Sequence, residues 1–115
     1  AICWSYQEQG CQAAIQNGGF IRQDHLYPSG TTLTAAQVRE EMPFPKRPVL
    51  LRALGSQLRR GLEEMLASTP APHGSFPQIS DSLRLAYCPD APPLEKIRRL
   101  ELSGAPVEPD RYYLI

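Results

Sequence analysis

Twelve prolines among 115 residues set the tightest limit on what this chain can fold into. Each removes a backbone donor, and each breaks a helix interior or a central strand. The chain is cut into short pieces, and two helices with five or six strands fit between the breaks. Thr34-Ala35-Ala36-Gln37 has the form of a capping box. It predicts a helix from Ala35 that stops before Pro43, because the residue ahead of a proline leaves the helical region. Pro43-Phe44-Pro45 is then rigid and extended, and Val49 to Leu54 is a β-type apolar run with one charge, Arg52. A second helix follows Gly55-Ser56, with Ser56 as its expected N-cap, and ends near Ser68. Leu58, Leu62, Met65 and Leu66 recur at helical spacing, while Arg59, Arg60, Glu63 and Glu64 read as its solvated face.

The remaining pieces are shorter. Residues 1 to 10 read as helical or irregular, and 12 to 16 as a short strand ending at a Gly-Gly turn. Residues 23 to 33 and 69 to 75 read as loops, 76 to 79 as extended and 88 to 93 as a proline-rich turn. Leu83, Leu85 and Tyr87 alternate with Arg84 and Ala86, the pattern of a half-buried strand. A short turn joins it to a strand at 97 to 102, which predicts antiparallel pairing. A last strand spans 112 to 115, with Tyr112 and Tyr113 alternating between surface and core. Together these predict one α+β domain over residues 1 to 115: a layered α/β/β/α type with a mixed, largely antiparallel sheet and two main helices.

Charge and composition narrow the function classes. Twelve basic and twelve acidic side chains cancel, so no global field draws the chain to nucleic acid or an acidic membrane. No apolar run reaches the roughly 18 residues of a membrane span. The opening Ala1-Ile2-Cys3-Trp4 reads as the inside of a domain, without a signal-peptide pattern. Cys3, Cys11 and Cys88 leave at least one thiol unpaired; whether Cys3 pairs with Cys11 stays open, and no C-x-x-C suggests a zinc or redox site. Asp24-His25 and His73 lack a partner at metal-ligand spacing. No serine sits in a Gly-x-Ser-x-Gly elbow, and nothing ties His73 to a cysteine as a nucleophile pair.

The densest chemical signal is Asn17-Gly18-Gly19-Phe20-Ile21-Arg22. An apolar strand leads into an amide side chain, then two glycines that permit close backbone approach, then an arginine. That order suits a small anionic ligand. Several pieces of the chain, in sequence, resemble the C-terminal domain of the 5′-nucleotidase family. These are secreted or periplasmic metallophosphoesterases, among them ecto-5′-nucleotidase and bacterial UDP-sugar hydrolase. The family's Asn-Gly-Gly-Gly-Ile-Arg run is similar to Asn17 to Arg22, and its Leu-Pro-Phe-Gly segment to Met42-Pro43-Phe44-Pro45. Its strand, Thr-Gly and amphipathic helix resemble Val49 to Leu66. Its Gly-x-Phe-Leu-Gln-x-Ser-Gly segment resembles Gly74 to Asp81, and its closing hairpin Ser103 to Asp110. The chain departs from that pattern at Phe20, Pro45 and Asp81, where the family has glycine. The family's glycine-rich loop with a second base-stacking aromatic lies beyond Ile115.

The resemblance implies a nucleotide-binding domain that is not catalytic alone. Asn17 would hydrogen-bond the base or ribose, Arg22 would contact phosphate and Phe44 would stack on the base. Gly18 and Gly19 would shape the turn between them. It implies no cofactor in this chain, and two divalent metal ions in an N-terminal metallophosphoesterase domain as its partner. The expected ligand is a nucleotide or nucleoside, with no nucleic acid and no membrane span, in the periplasm or outside the cell. The three glycine replacements support a second reading, a degenerate stand-alone module that mediates protein interaction without binding nucleotide.

Overall fold

The computed structural model describes residues 2–23 and 25–115; the Ala1 and Asp24 readings fall outside them. The architecture is α+β with antiparallel sheets. A four-residue helix, α1 (Ile2–Ser5), and a 3-10 turn at Gln7–Gln9 precede β1 (Ile15–Asn17). A second 3-10 turn, Gly18–Phe20, leads to α2 (Ala35–Glu41). There follow β2 (Arg52–Leu54), α3 (Gly55–Leu66), β3 (Pro77–Ile79), β4 (Leu83–Tyr87), β5 (Ile97–Leu102), β6 (Ala105–Pro106) and β7 (Tyr112–Leu114). Of these, β6 lies within the closing hairpin that the resemblance places at Ser103 to Asp110. Among the described residues no helix is long and apolar enough to cross a membrane.

The capping box forms as predicted: the Gln37 N–H donates to Thr34 Oγ1 at 3.3 Å, and the Thr34 N–H to Gln37 Oε1 at 2.8 Å. The start of α3 is a correction. Leu54, not Ser56, is its N-cap. The first amides are satisfied by the returning chain: Gly55 N donates to Arg111 O and Ser56 N to Pro109 O, both at 2.9 Å. With those donors already paired, the Ser56 hydroxyl has no capping task.

Three small antiparallel sheets carry the strands. Pairing of β1 with β3 sets Ile15 opposite Ile79 and Asn17 opposite Pro77. That register brings the end of β1 against the loop ahead of β3. The β4–β5 pair sets Leu83 opposite Leu102 and Leu85 opposite Leu100, with an irregularity at Ala86/Tyr87. The β2–β7 pair is extended by reciprocal bonds between Leu51 and Ile115 at 2.7 and 2.8 Å. Gln12 ties the two ends of the chain together: its amide donates to Leu114 O, and its side-chain oxygen accepts from Leu114 N, both at 2.9 Å.

The core lies where the α3 stripe meets the sheets. Leu58, Leu62 and Leu66 pack with Leu83, Ile97, Leu100, Leu102, Tyr113 and Ala13. Tyr113 is buried and Tyr112 half exposed, as their alternation predicts. Glu63 is the second correction. The helical pattern assigns it to the solvated face, yet it is only 4% exposed. Its two carboxylate oxygens accept the Lys96 and Ile97 amides, each at 2.8 Å. The β-bulge region leaves those two N–H groups without strand partners, and a buried carboxylate at the edge of the α3 stripe fills the gap. The Lys96 ammonium is likewise buried, donating to the Thr69, Pro89 and Ala91 carbonyls at 3.0, 2.6 and 2.9 Å. Among the described residues no buried side-chain nitrogen or oxygen lacks a partner.

Candidate functional site

The Asn17 to Arg22 run sits where β1 ends. Its two glycines approach the chain's own backbone. Gly18 N donates to Phe76 O and Gly19 N to Gly74 O, both at 2.8 Å. Neither amide is therefore free to hold an anion, and the side chains must supply any ligand contact. Asn17 is exposed; its Nδ2 donates to Gly74 O at 3.2 Å, and its Oδ1 accepts from Gln16 Nε2 at 2.8 Å. An amide has two N–H groups and two lone pairs, so one of each stays available.

Arg22 reaches a different neighbour. Its backbone N–H donates to Glu41 O at 2.9 Å, which fixes it to the end of α2. One guanidinium N–H donates to Gly19 O at 3.3 Å. The guanidinium carbon lies 5.7 Å from the centre of the Phe44 ring. Lys46 Nζ lies 5.6 Å from the same centre. Both distances fall within cation–π range. The structure thus brings Arg22 and Phe44 together, with Asn17, Gly18 and Gly19 grouped on the Gly74–Phe76 loop beside them.

Phe20 packs on Phe44, with ring centres 5.9 Å apart and planes tilted by 44°. Phe44 still keeps 39% of its surface exposed, enough to leave part of a ring face to a ligand. Phe20, Phe44 and Lys46 stand at a groove of about 740 Å3, whose other walls include Ala13, Leu58 and Leu62. Lys46 and Arg47 line it, and among the described residues no Asp or Glu side chain does, so its side-chain charge favours an anion. Sequence reasoning missed Lys46 and the close approach of Gly74. Lys46 follows Phe44 by two residues in an extended segment, and that spacing was the available signal. Phe20, Pro45 and Asp81 all adopt negative φ; among the described residues only Leu94 and Ser103, besides glycines, do not. Replacing glycine at those three positions therefore carries no left-handed backbone strain.

The weaker candidates resolve into structural roles. The His73 Nδ1 faces Ser75 Oγ at 2.8 Å and accepts the Ser75 N–H at 3.2 Å. Among the described residues no group of three or more His, Cys, Asp or Glu side chains could hold a metal ion. Tyr27 donates to Glu41 Oε1 at 2.8 Å, and that bond raises its phenol above the ordinary tyrosine range. Burial, then the neighbouring Cys3 thiol, pushes the Cys11 thiol up to about 11.

The described residues form an α+β domain that presents an exposed aromatic ring with two cations beside it. The sequence matches the family described as 5′-nucleotidase, C-terminal domain, over residues 2–115, and the chain belongs to that family. No curated protein sequence matches it. Among solved structures it is similar to a 5′-nucleotidase precursor from Thermus thermophilus, at 29% identity and a TM-score of 0.88. That match covers 98% of this chain and 22% of the Thermus one. It also shares the fold of a protein described as a 5′-nucleotidase from Staphylococcus aureus in complex with alpha-ketoglutarate. There the identity is 15%, the TM-score 0.75, and the match covers 96% of this chain and 24% of the other. The chain thus spans about a quarter or less of the structures it matches.

Proposed function

We propose that residues 1–115 act as one domain that binds the substrate of a nucleotide phosphate-ester hydrolase. The observation that carries this reading is the Phe44 ring, with Arg22 and Lys46 each within 6 Å of its centre. Phe44 stacks on the base. Arg22, with Lys46 beside it, neutralises the phosphate through charge-assisted hydrogen bonds. Asn17 uses its remaining donor and acceptor on the base edge or ribose. Gly18 and Gly19 hold the turn that presents Asn17 and Arg22 on adjacent sides.

Catalysis belongs to the partner domain in this reading. An N-terminal metallophosphoesterase domain carries two divalent metal ions, which supply an activated water. This chain contributes binding and orientation. Its relative from Thermus is described as a precursor, which supports a location in the periplasm or outside the cell.

The test is a titration with AMP and adenosine, followed by amide NMR shifts at Asn17, Arg22 and Phe44. Saturable shifts at all three support nucleotide binding. Absence of shifts at millimolar ligand overturns it in favour of a stand-alone protein-interaction module, the reading that the Phe20–Phe44 packing favours.

A further inference from the structure

We propose that Cys3 and Cys11 are a disulfide-forming pair and that Cys88 remains a free thiol. The N-terminal turns set up the pair. Tyr6 N donates to Cys3 O at 3.2 Å, closing α1. Gly10 then takes the left-handed conformation, with φ 80°, and reverses the chain. Cys11 N donates back to Tyr6 O at 3.1 Å. This hairpin returns Cys11 to Cys3: the Cys3 thiol donates to Cys11 O at 3.4 Å. The Cys11 thiol also donates to Ala13 O at 3.3 Å. Both cysteines are only partly buried, so a small reagent reaches them. Cys88 lies in the turn after β4, with its amide bonded to Lys96 O at 2.9 Å.

The reaction is thiol–disulfide exchange with a small disulfide, R–S–S–R, as oxidant. The Cys3 thiolate attacks one sulfur of the reagent and displaces R–S⁻. The Cys11 thiolate then attacks the Cys3 sulfur of the mixed disulfide and displaces the second R–S⁻. Two thiols and one disulfide become one protein disulfide and two R–SH; two electrons pass to the reagent, and its thiols carry the two protons. Burial and then Cys3 hold the Cys11 thiol protonated, so it attacks second and gives its proton to the departing R–S⁻ pool as it does so.

The sequence makes the test direct. No Lys or Arg lies between Cys3 and Arg22, so one tryptic peptide ending at Arg22 carries both cysteines. Cys88 falls in the separate peptide between Arg84 and Lys96. The native protein is incubated with oxidised glutathione, quenched in acid, alkylated, digested and weighed. The expected result is an unalkylated peptide ending at Arg22, lighter by two hydrogen atoms, with Cys88 alkylated. C88S must give the same peptide, C3S must not, and closure must run faster in native protein than in urea. Alkylation at both Cys3 and Cys11, persistent glutathione adducts on either, pairing with Cys88, or equal rates in urea would overturn the proposal.

Discussion

Gly19 and Gly74 meet backbone to backbone: a Cβ on Gly19 would lie 3.0 Å from Gly74 Cα and 3.1 Å from its carbonyl oxygen. The contact is asymmetric, since a Cβ on Gly74 would have Gly19 Cα at an ordinary 3.4 Å. Backbone atoms tied by the Gly19 N to Gly74 O bond have little room to give. Gly19→Ala should therefore cost about 1–3 kcal/mol, the range for overpacking. Gly74→Ala should cost clearly less. Thermal melting of the two variants checks the order, and equal losses would contradict the asymmetry.

Much of this was legible in the sequence because local rules and tertiary packing agreed. The capping box at Thr34 and Gln37 formed as written, since both partners lie within one turn. The Leu58, Leu62 and Leu66 stripe marked the core because burial follows helical periodicity. The misreadings have a common physical origin. Ser56 and Glu63 were judged by their helix neighbours, but long-range backbone groups decide their roles. The turn at 109–111 satisfies the α3 amides, and Glu63 answers two orphan N–H groups some thirty positions away in sequence. Nothing in a local pattern reveals which strand edge will lack partners. The motif singled out Asn17 to Arg22 and Phe44, and the fold sets Arg22 beside Phe44, whereas the place of Lys46 beside the same ring emerged only from the structure.

The Glu63 carboxylate gives a stability prediction. Two charge-assisted hydrogen bonds end on it in a buried setting, and the Lys96 ammonium is bound elsewhere by three carbonyls. Glu63→Gln keeps one acceptor and turns an N–H pair toward a backbone N–H. A charged hydrogen bond of this kind contributes about 1.5–3 kcal/mol. The variant should lose about that much in urea denaturation, through a lower midpoint at an unchanged slope. Glu64→Gln, by contrast, removes only an exposed pair with Arg60 at 3.2 Å. It should stay within about 0.5 kcal/mol of the parent.

The proposed division of labour between Arg22 and Phe44 separates two ligands. Phe44→Ala should weaken AMP and adenosine alike, by about 1–3 kcal/mol, because both carry the base. Arg22→Ala should weaken AMP roughly tenfold, about 1.4 kcal/mol, and leave adenosine unchanged. Isothermal titration of the four variant–ligand pairs reads both effects. If Arg22→Ala weakened the two ligands equally, its role would be to hold the loop through Gly19 O rather than to bind phosphate.

The Cys11 thiol gives the pH dependence of the reduced protein. Its ordinary value is 9.0, and in the fold burial and then Cys3 push it up to about 11. The folded state therefore keeps the proton that the unfolded chain releases first. Stabilisation from the protonated thiol is complete below pH 9 and is lost as pH climbs toward 11. Tyr27 shifts in the same direction, because ionisation would give up the hydrogen bond that its phenol donates to Glu41. It adds to the alkaline loss, so the Cys11 share must be isolated by difference. Under reductant, the melting temperature of the parent should fall more steeply between pH 9 and 11 than that of Cys11→Ser, with the two curves parallel below pH 9. Parallel curves across the whole range would mean that the thiol ionises equally in both states and that the Cys3–Cys11 contact does not hold its proton.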